Sequence, residues 1–272
     1  MDFAHMAVMI TAKSRPDYLT RTLTSWKAAR GITEVRAPRR VALGWDDAKY
    51  AEMVMVIEAA RKPPNPCHWL IKPDSTAARA SNGMARAIAE CVTAMFADPQ
   101  VDFVVMGEED VIVSDDVLEL MAWGAGRFRD DKRVLAVNGH DEGGQGWCVP
   151  GIGALNGDAD QWAIRLNQSF NPWCWGTWRD RWFDVLEPAW DYEVNSGGAM
   201  DSGHDHHLAR RVIPNGGYLC VTPDASRSQN IGQYGGWAAD PAKFGETQSA
   251  SFRQERGPGE YRLVTAEAPA VP

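Results

Sequence analysis

The sequence predicts an α/β fold, with a mainly parallel central sheet and helices on both faces. Two observations carry that expectation. Short apolar runs with the length and β-branched content of buried strands recur at residues 7–10, 103–106 and 134–137. Stretches with helical spacing lie between them, and strands that alternate with helices build parallel sheets. A third observation locates function. The run ending at Met106 continues into Gly107 and then three carboxylates, Glu108, Glu109 and Asp110. A strand buried on both faces cannot hold unpaired acids, so the cluster belongs at the strand's carboxyl edge, where open α/β sheets bind ligands. Three adjacent acids repel one another unless a cation relieves them, and hard oxygen ligands suit Mg²⁺ or Mn²⁺. An ordinary acidic turn is the competing reading.

Taken in order, the first strand leads through a polar loop to Pro16, which fits the first turn of a helix with Leu19, Leu23 and Trp26 on one face. Strand, loop and helix start together make an anion site, to which Arg15 adds a charged donor. No Walker pattern and no GxGxxG is present. A second strand in RRVALGWDDAKY ends at Asp46 and Asp47, and a helix is expected over 48–60. RKPPNPCHW is a proline-rich connection. Residues 75–97 read as a longer helix with Met84, Ile88, Val92 and Met95 at helical spacing. After the acid triplet a further helix is expected, with Ser114 as N-cap and Asp115 and Asp116 in its first turn.

Beyond Asn138 the chain becomes rich in glycine and loses periodicity. NPWCWGTWRDRW gathers Trp173, Trp175, Trp178 and Trp182 around Gly176, and GGAMDSGHDHHLARR holds two acids and three histidines. One more strand is expected at 218–221, then a loop with Asp224, Ser226 and Arg227. The alternating strands and helices of 1–140 are a nucleotide-binding architecture, 141–245 belongs to the same domain, and a tail at 246–272 is expected to be partly disordered.

Composition narrows the class. The 272 residues are 44% hydrophobic and 24% charged, as in globular proteins. No apolar run reaches membrane-spanning length and no secretory signal is present, so a soluble cytoplasmic protein without membrane association is expected. The five cysteines are scattered, odd in number and without CxxC spacing, which favours reduced thiols. A formal charge of −8 gives no global pull toward nucleic acid. His204, His206 and His207 lack the HxHxDH order of metallo-hydrolases, which counts against a zinc centre.

These pieces, in order from about Ala7 to Gly236, resemble the GT-A glycosyltransferases, and within them the N-acetylglucosaminyltransferase I family. ITAKSR stands where that family has an ACDR-like loop, with Arg15 in the arginine position. GEEDVIVSDDVLEL is similar to its EDD triplet and acidic helix start, VLAVNGHDEGG to its NDNG-like loop, and LEPAW and CVTPDASRSQNIG to two later segments. The resemblance implies a GT-A (nucleotide-diphospho-sugar transferase) fold and a metal-dependent, inverting transfer of a sugar, GlcNAc or glucose, from a UDP-sugar. It assigns the Mn²⁺ or Mg²⁺ ion to Asp110, the sugar's surroundings to Glu109 with Glu108 beside it, and uracil to Asp46, with Asp47 as the alternative. Asp205 aligns with the catalytic base, and Asp201 is the alternative. The triplet departs from the family in reading EED.

Around that frame, Trp173 or Trp175 beside Gly176 is expected to floor the sugar or acceptor site. His204 is expected near the diphosphate or metal. Arg227 either reaches the diphosphate or forms a salt bridge within its loop. The acceptor is 5-hydroxymethylcytosine in DNA, as for soluble phage-type GT-A enzymes, or a glycan or protein. A basic surface from Arg179, Arg181, Arg210 and Arg211 beside the cleft would suit DNA, and a narrow acidic groove a glycan. A metal-dependent hydrolase and a non-catalytic nucleotide-sugar-binding module are the other readings.

Overall fold

Alternate residues of two central strands face opposite layers, and this two-sided burial organises the molecule. The computed structural model describes residues 2–36, 39–43, 49–61, 69–72, 83–141, 159–192, 204–234, 244–245, 248–249 and 251–264. Strand β1 (Met6–Ala12) is buried throughout, as is β4 (Phe103–Glu108) up to its last residue. Met6, Val8, Ile10, Phe103 and Val105 join one apolar cluster with Leu19, Leu23 and Trp26 of α1 (Pro16–Ala28), Met53 and Ile57 of α2 (Tyr50–Ala60), and Leu118 and Met121 of α4 (Val117–Arg127). Ala7, Met9, Val104 and Met106 join a second cluster with Ile88, Val92 and Met95 of α3 (Gly83–Phe96). That second layer is completed by Trp182 and Leu186 of a π-helical turn (Trp182–Leu186), and by Leu208 of another (Leu208–Val212). Fully burying each such side chain contributes about 1.5–3 kcal/mol, so the two layers are what make the sheet the molecule's spine.

Among the described residues the sheet has nine strands. Strand β1 pairs in parallel with β2 (Arg39–Leu43) and β4, and β2 with β3 (Trp69–Lys72). Beyond β4 lies β8 (Trp175–Trp178), antiparallel to both β4 and β6 (Val134–Asn138). Strand β9 (Leu219–Pro223) is parallel to β6, β7 (Ala163–Asn167) is antiparallel to β9, and β11 (Arg262–Leu263) closes the far edge. One sheet therefore runs through both halves of the chain. A two-stranded ribbon, β5 (Val111–Val113) with β10 (Ser228–Asn230), stands beside it directly after the acid triplet.

Two tryptophan-rich expectations change here. Trp175 is 3% exposed and packs edge-on against Phe170, inside the second layer. A Cβ on Gly176 would sit 2.3 Å from the Phe103 ring, so that glycine serves a close crossing within the sheet. Neither residue floors a sugar site: β8 carries them into the core.

Arginines and carboxylates also do structural tasks that the sequence left open. Arg181, 3% exposed, donates to the carbonyls of Phe128, Arg129 and Asp131, closing the end of α4. Arg179 donates to carbonyls of Phe96, Asp98 and Val101 after α3. Both lie near the Trp178–Phe103 pairing at the start of β4, the sheet edge opposite the acid triplet. Ser114 does not cap α4. Its hydroxyl donates 2.6 Å to Asp116, the residue before the helix, and no side chain caps that helix start. Asp116 instead meets Arg227 at 2.8 Å, and Asp115 meets Arg30 at 2.5 Å.

The tail is ordered further than its composition suggested. Over 251–264, the Arg256 backbone N–H donates to Asp115 and its guanidinium to the Ser226 and Ser251 carbonyls. Tyr261 donates 3.0 Å to Asp116 and packs against Trp123 and Trp162, and Arg262 and Leu263 add the edge strand. Buried partners offset the ordering cost that a charged, proline-containing segment meets in isolation. Among the described cysteines, Cys91, Cys174 and Cys220 are buried. No helix of the described residues is long and apolar enough to cross a membrane.

Candidate active site

The carboxyl ends of β1, β4 and β6 come out on one edge of the sheet. Because β8 runs the other way, the residues that precede it, Trp173 and Cys174, reach the same edge; the Gly139 N–H donates 2.6 Å to the Cys174 carbonyl. There the acid triplet turns out of β4. Glu109 is 4% and Asp110 6% exposed. The Lys13 N–H of the β1–α1 loop donates 2.7 Å to Glu109 Oε2, and the Arg15 Nε donates 2.7 Å to Oε1. Thr22 of α1 holds the Glu109 carbonyl at 2.8 Å. So Glu109, the expected neighbour of the sugar, is tied to the loop that was read as an anion site.

Asp110 is placed differently. Its Oδ2 meets Arg15 Nη1 at 2.8 Å, while its buried Oδ1 has no hydrogen-bonding partner. The Ile231 N–H donates 2.7 Å to its carbonyl, which brings the strand leaving β10 across the carboxylate. Gly232 completes that crossing: a Cβ there would lie 1.9 Å from Oδ2. Burial raises the Asp110 pKa, Arg15 opposes the rise and Glu109 adds to it. Burial also pushes the Glu108 carboxyl well above the usual range, and Asp110 and Asp205 push it the same way. Asp205 therefore acts electrostatically on Glu108 from the short helix α5 (His204–His207).

This chemistry fits a divalent cation. The acids are hard oxygen donors, and one carboxylate oxygen is buried without a partner. Among the described residues no three His, Cys, Asp or Glu side chains form a ready cage. Mg²⁺-type sites commonly use one or two carboxylates and take their remaining ligands from water and substrate phosphates.

His204 is 9% exposed and stacked on Trp190 with ring centroids 4.7 Å apart. Burial lowers its pKa, against the pull of Asp205 and Asp191. Arg227 is fully buried, paired with Asp116, bonded to the Ala225 and Gln161 carbonyls, and flanked by Trp162 and Tyr261. It cannot meet a diphosphate, because its guanidinium serves the interior. Asp46, Asp47 and Asp201 lie outside the described residues.

Sequence reasoning missed His140. It is 2% exposed; its Nδ1–H donates 2.9 Å to the Ser228 carbonyl, and its ring stands edge-on to half-buried Trp173 at 4.9 Å. Burial holds it neutral, with its pKa lowered to about 4. The glycine-rich loop after β6 was noticed, but a lone histidine in it carries no spacing signal. Gly232 was missed for the same reason.

No protein-family model and no curated protein matches the sequence. Solved structures do. The chain is similar to S. aureus TarS 1–349, with a TM-score of 0.50 and 13% identity over 84% of this chain and 61% of that one. It is also similar to the Pyrobaculum calidifontis mannosyltransferase PcManGT in complex with GDP-Man and Mn²⁺, with a TM-score of 0.46 and 16% identity over 80% of this chain and 54% of that one. A Leptospira borgpetersenii cytidylyltransferase overlaps 49% of the chain at a TM-score of 0.34 and 11% identity. The chain thus spans between half and two thirds of the length of each. The fold is that of the nucleotide-sugar glycosyltransferases.

Proposed function

We propose that this chain is a metal-dependent, inverting glycosyltransferase that moves a sugar from a nucleoside diphosphate, UDP carrying GlcNAc or glucose, to an acceptor hydroxyl. The observation that carries the reading is Asp110, a buried carboxylate with one unpartnered oxygen at the carboxyl edge of the sheet, beside Glu108, on which Asp205 also acts.

Asp110 would hold Mn²⁺ or Mg²⁺, which when bound neutralises the charge gathering on the departing diphosphate. The backbone of the β1–α1 loop and the Arg15 guanidinium would bind that diphosphate. Asp205 accepts the proton from the acceptor oxygen as that oxygen attacks the anomeric carbon, since a sugar or alcohol hydroxyl is too weak an acid to attack unaided. Asp201 is its alternative. Glu108 lies between the two charges and senses both. Trp173, half-buried and edge-on to His140, is an aromatic surface that would suit the transferred sugar or the acceptor.

A saccharide acceptor suits this edge better than DNA. Glu108, Glu109, Asp110 and Asp205 gather there, and Asp141 and Asp224 flank Arg165 nearby. Two of the four arginines expected beside the cleft, Arg179 and Arg181, serve helix ends on the opposite edge. A phosphate backbone gains its affinity from cations and is repelled by gathered acids. The test is incubation with Mn²⁺, a panel of UDP- and GDP-sugars, and glycan, protein or hydroxymethylcytosine-DNA acceptors, with products read by mass spectrometry. Sugar added to a glycan supports the reading; ester hydrolysis without nucleotide sugar, or nucleotide binding with no transfer to anything, overturns it.

A further inference from the structure

We propose that Arg15 is the site's own stand-in for the metal, and that the divalent ion gains Asp110 only when a nucleoside diphosphate draws Arg15 away. This rests on the glycosyltransferase reading and names a regulation of that same site. Glu109 and Asp110 are neighbouring, nearly buried carboxylates, and buried charges are held by partners of opposite sign. The one guanidinium partners both, through Nε to Glu109 at 2.7 Å and Nη1 to Asp110 at 2.8 Å.

The two acids are not held equally. Glu109 keeps the Lys13 N–H at 2.7 Å, so the loop retains it if the guanidinium leaves. Asp110 Oδ2 has Arg15 as its ion-pair partner, and Oδ1 has no hydrogen bond. Departure of Arg15 therefore exposes both oxygens of one carboxylate and leaves the neighbouring acid anchored. Mobility is unequal too. The Arg15 side chain is 22% exposed and rests 5.5 Å from the Tyr18 ring, whereas the acid side chains are 6% and 8% exposed and fixed by strand and ribbon.

A divalent ion arriving alone meets a fixed positive charge already seated on its ligand, in surroundings where like charges repel strongly. A diphosphate offers the planar guanidinium fork a better partner, two adjacent anionic oxygens. Metal occupancy becomes conditional on the donor, and the empty site stays electrically compensated.

The experiment follows free Mn²⁺ by its paramagnetic resonance signal, with the protein alone and with UDP or GDP, after subtracting the ion held by nucleotide alone. Wild type alone binds Mn²⁺ weakly, and nucleoside diphosphate tightens it at least tenfold. Arg15→Met alone binds Mn²⁺ at least tenfold more tightly than wild type, and Arg15→Lys, which keeps the charge, does not. Circular dichroism checks the fold, and Arg15→Gln replaces the Met variant if that one fails to fold. If wild type binds Mn²⁺ with nucleotide but neither neutral variant binds it better alone, the stand-in role is overturned while the enzyme reading survives. If no Mn²⁺ binds under any condition, both fall.

Discussion

Asp110 and Asp205 divide the proposed labour, and substitutions separate them. Asp110→Asn should abolish Mn²⁺-dependent nucleotide binding in calorimetry while leaving the melting temperature unchanged or raised, because the amide removes a buried acid whose charged form burial disfavours. Asp205→Asn should keep nucleotide binding and lower kcat by roughly 10²–10⁴-fold. His140 gives a pH prediction. Its folded pKa of about 4 lies below the ordinary 6.5, so above pH 6.5 it is neutral in both states and costs nothing. Between 6.5 and 4 the unfolded chain takes a proton that the folded chain refuses, and stability falls as pH drops, by up to about 3 kcal/mol. Urea midpoints at pH 4.5 and 7 should therefore differ less in His140→Gln than in wild type. The acid triplet was legible because acids directly after an apolar strand have few places to go. His140 was not, since only the fold brings Ser228 and Trp173 to it.

Elements matter where one crosses another. The strand leaving β10 passes over Asp110 with no room for a side chain, so Gly232→Ala should displace the carboxylate and weaken metal-dependent nucleotide binding at least tenfold. A thermal melt close to wild type would show that the loss is local. At the start of α4 the Arg227–Asp116 pair is wholly buried, and Arg227→Met strands a charge, costing about 3–5 kcal/mol in denaturant unfolding. Arg227→Met with Asp116→Leu should recover much of that loss, since the stranded charge is what costs. Strands β1, β4 and β6 were readable from short apolar runs. Strand β8 was not, because WGTW is too short and too aromatic to declare a period. Arg227 misled for a related reason: a loop arginine gives no sign in sequence of whether it turns inward to a buried acid.

At the scale of the molecule, the order of motifs along the chain announced the architecture better than any one motif did. The closing segment has the glycine, proline and charge of a solvated tail, yet within 251–264 Tyr261 and Arg256 find buried partners on distant elements. One consequence concerns how the molecule is made. Strand β8 sits between β4 and β6, yet it is translated after both. As the nascent polypeptide leaves the ribosome, those two apolar strands wait with the hydrogen-bonding groups between them unsatisfied, a template on which a second chain can pair. Synthesis slowed between residues 139 and 174 would lengthen that exposure, and aggregation during expression should rise with it.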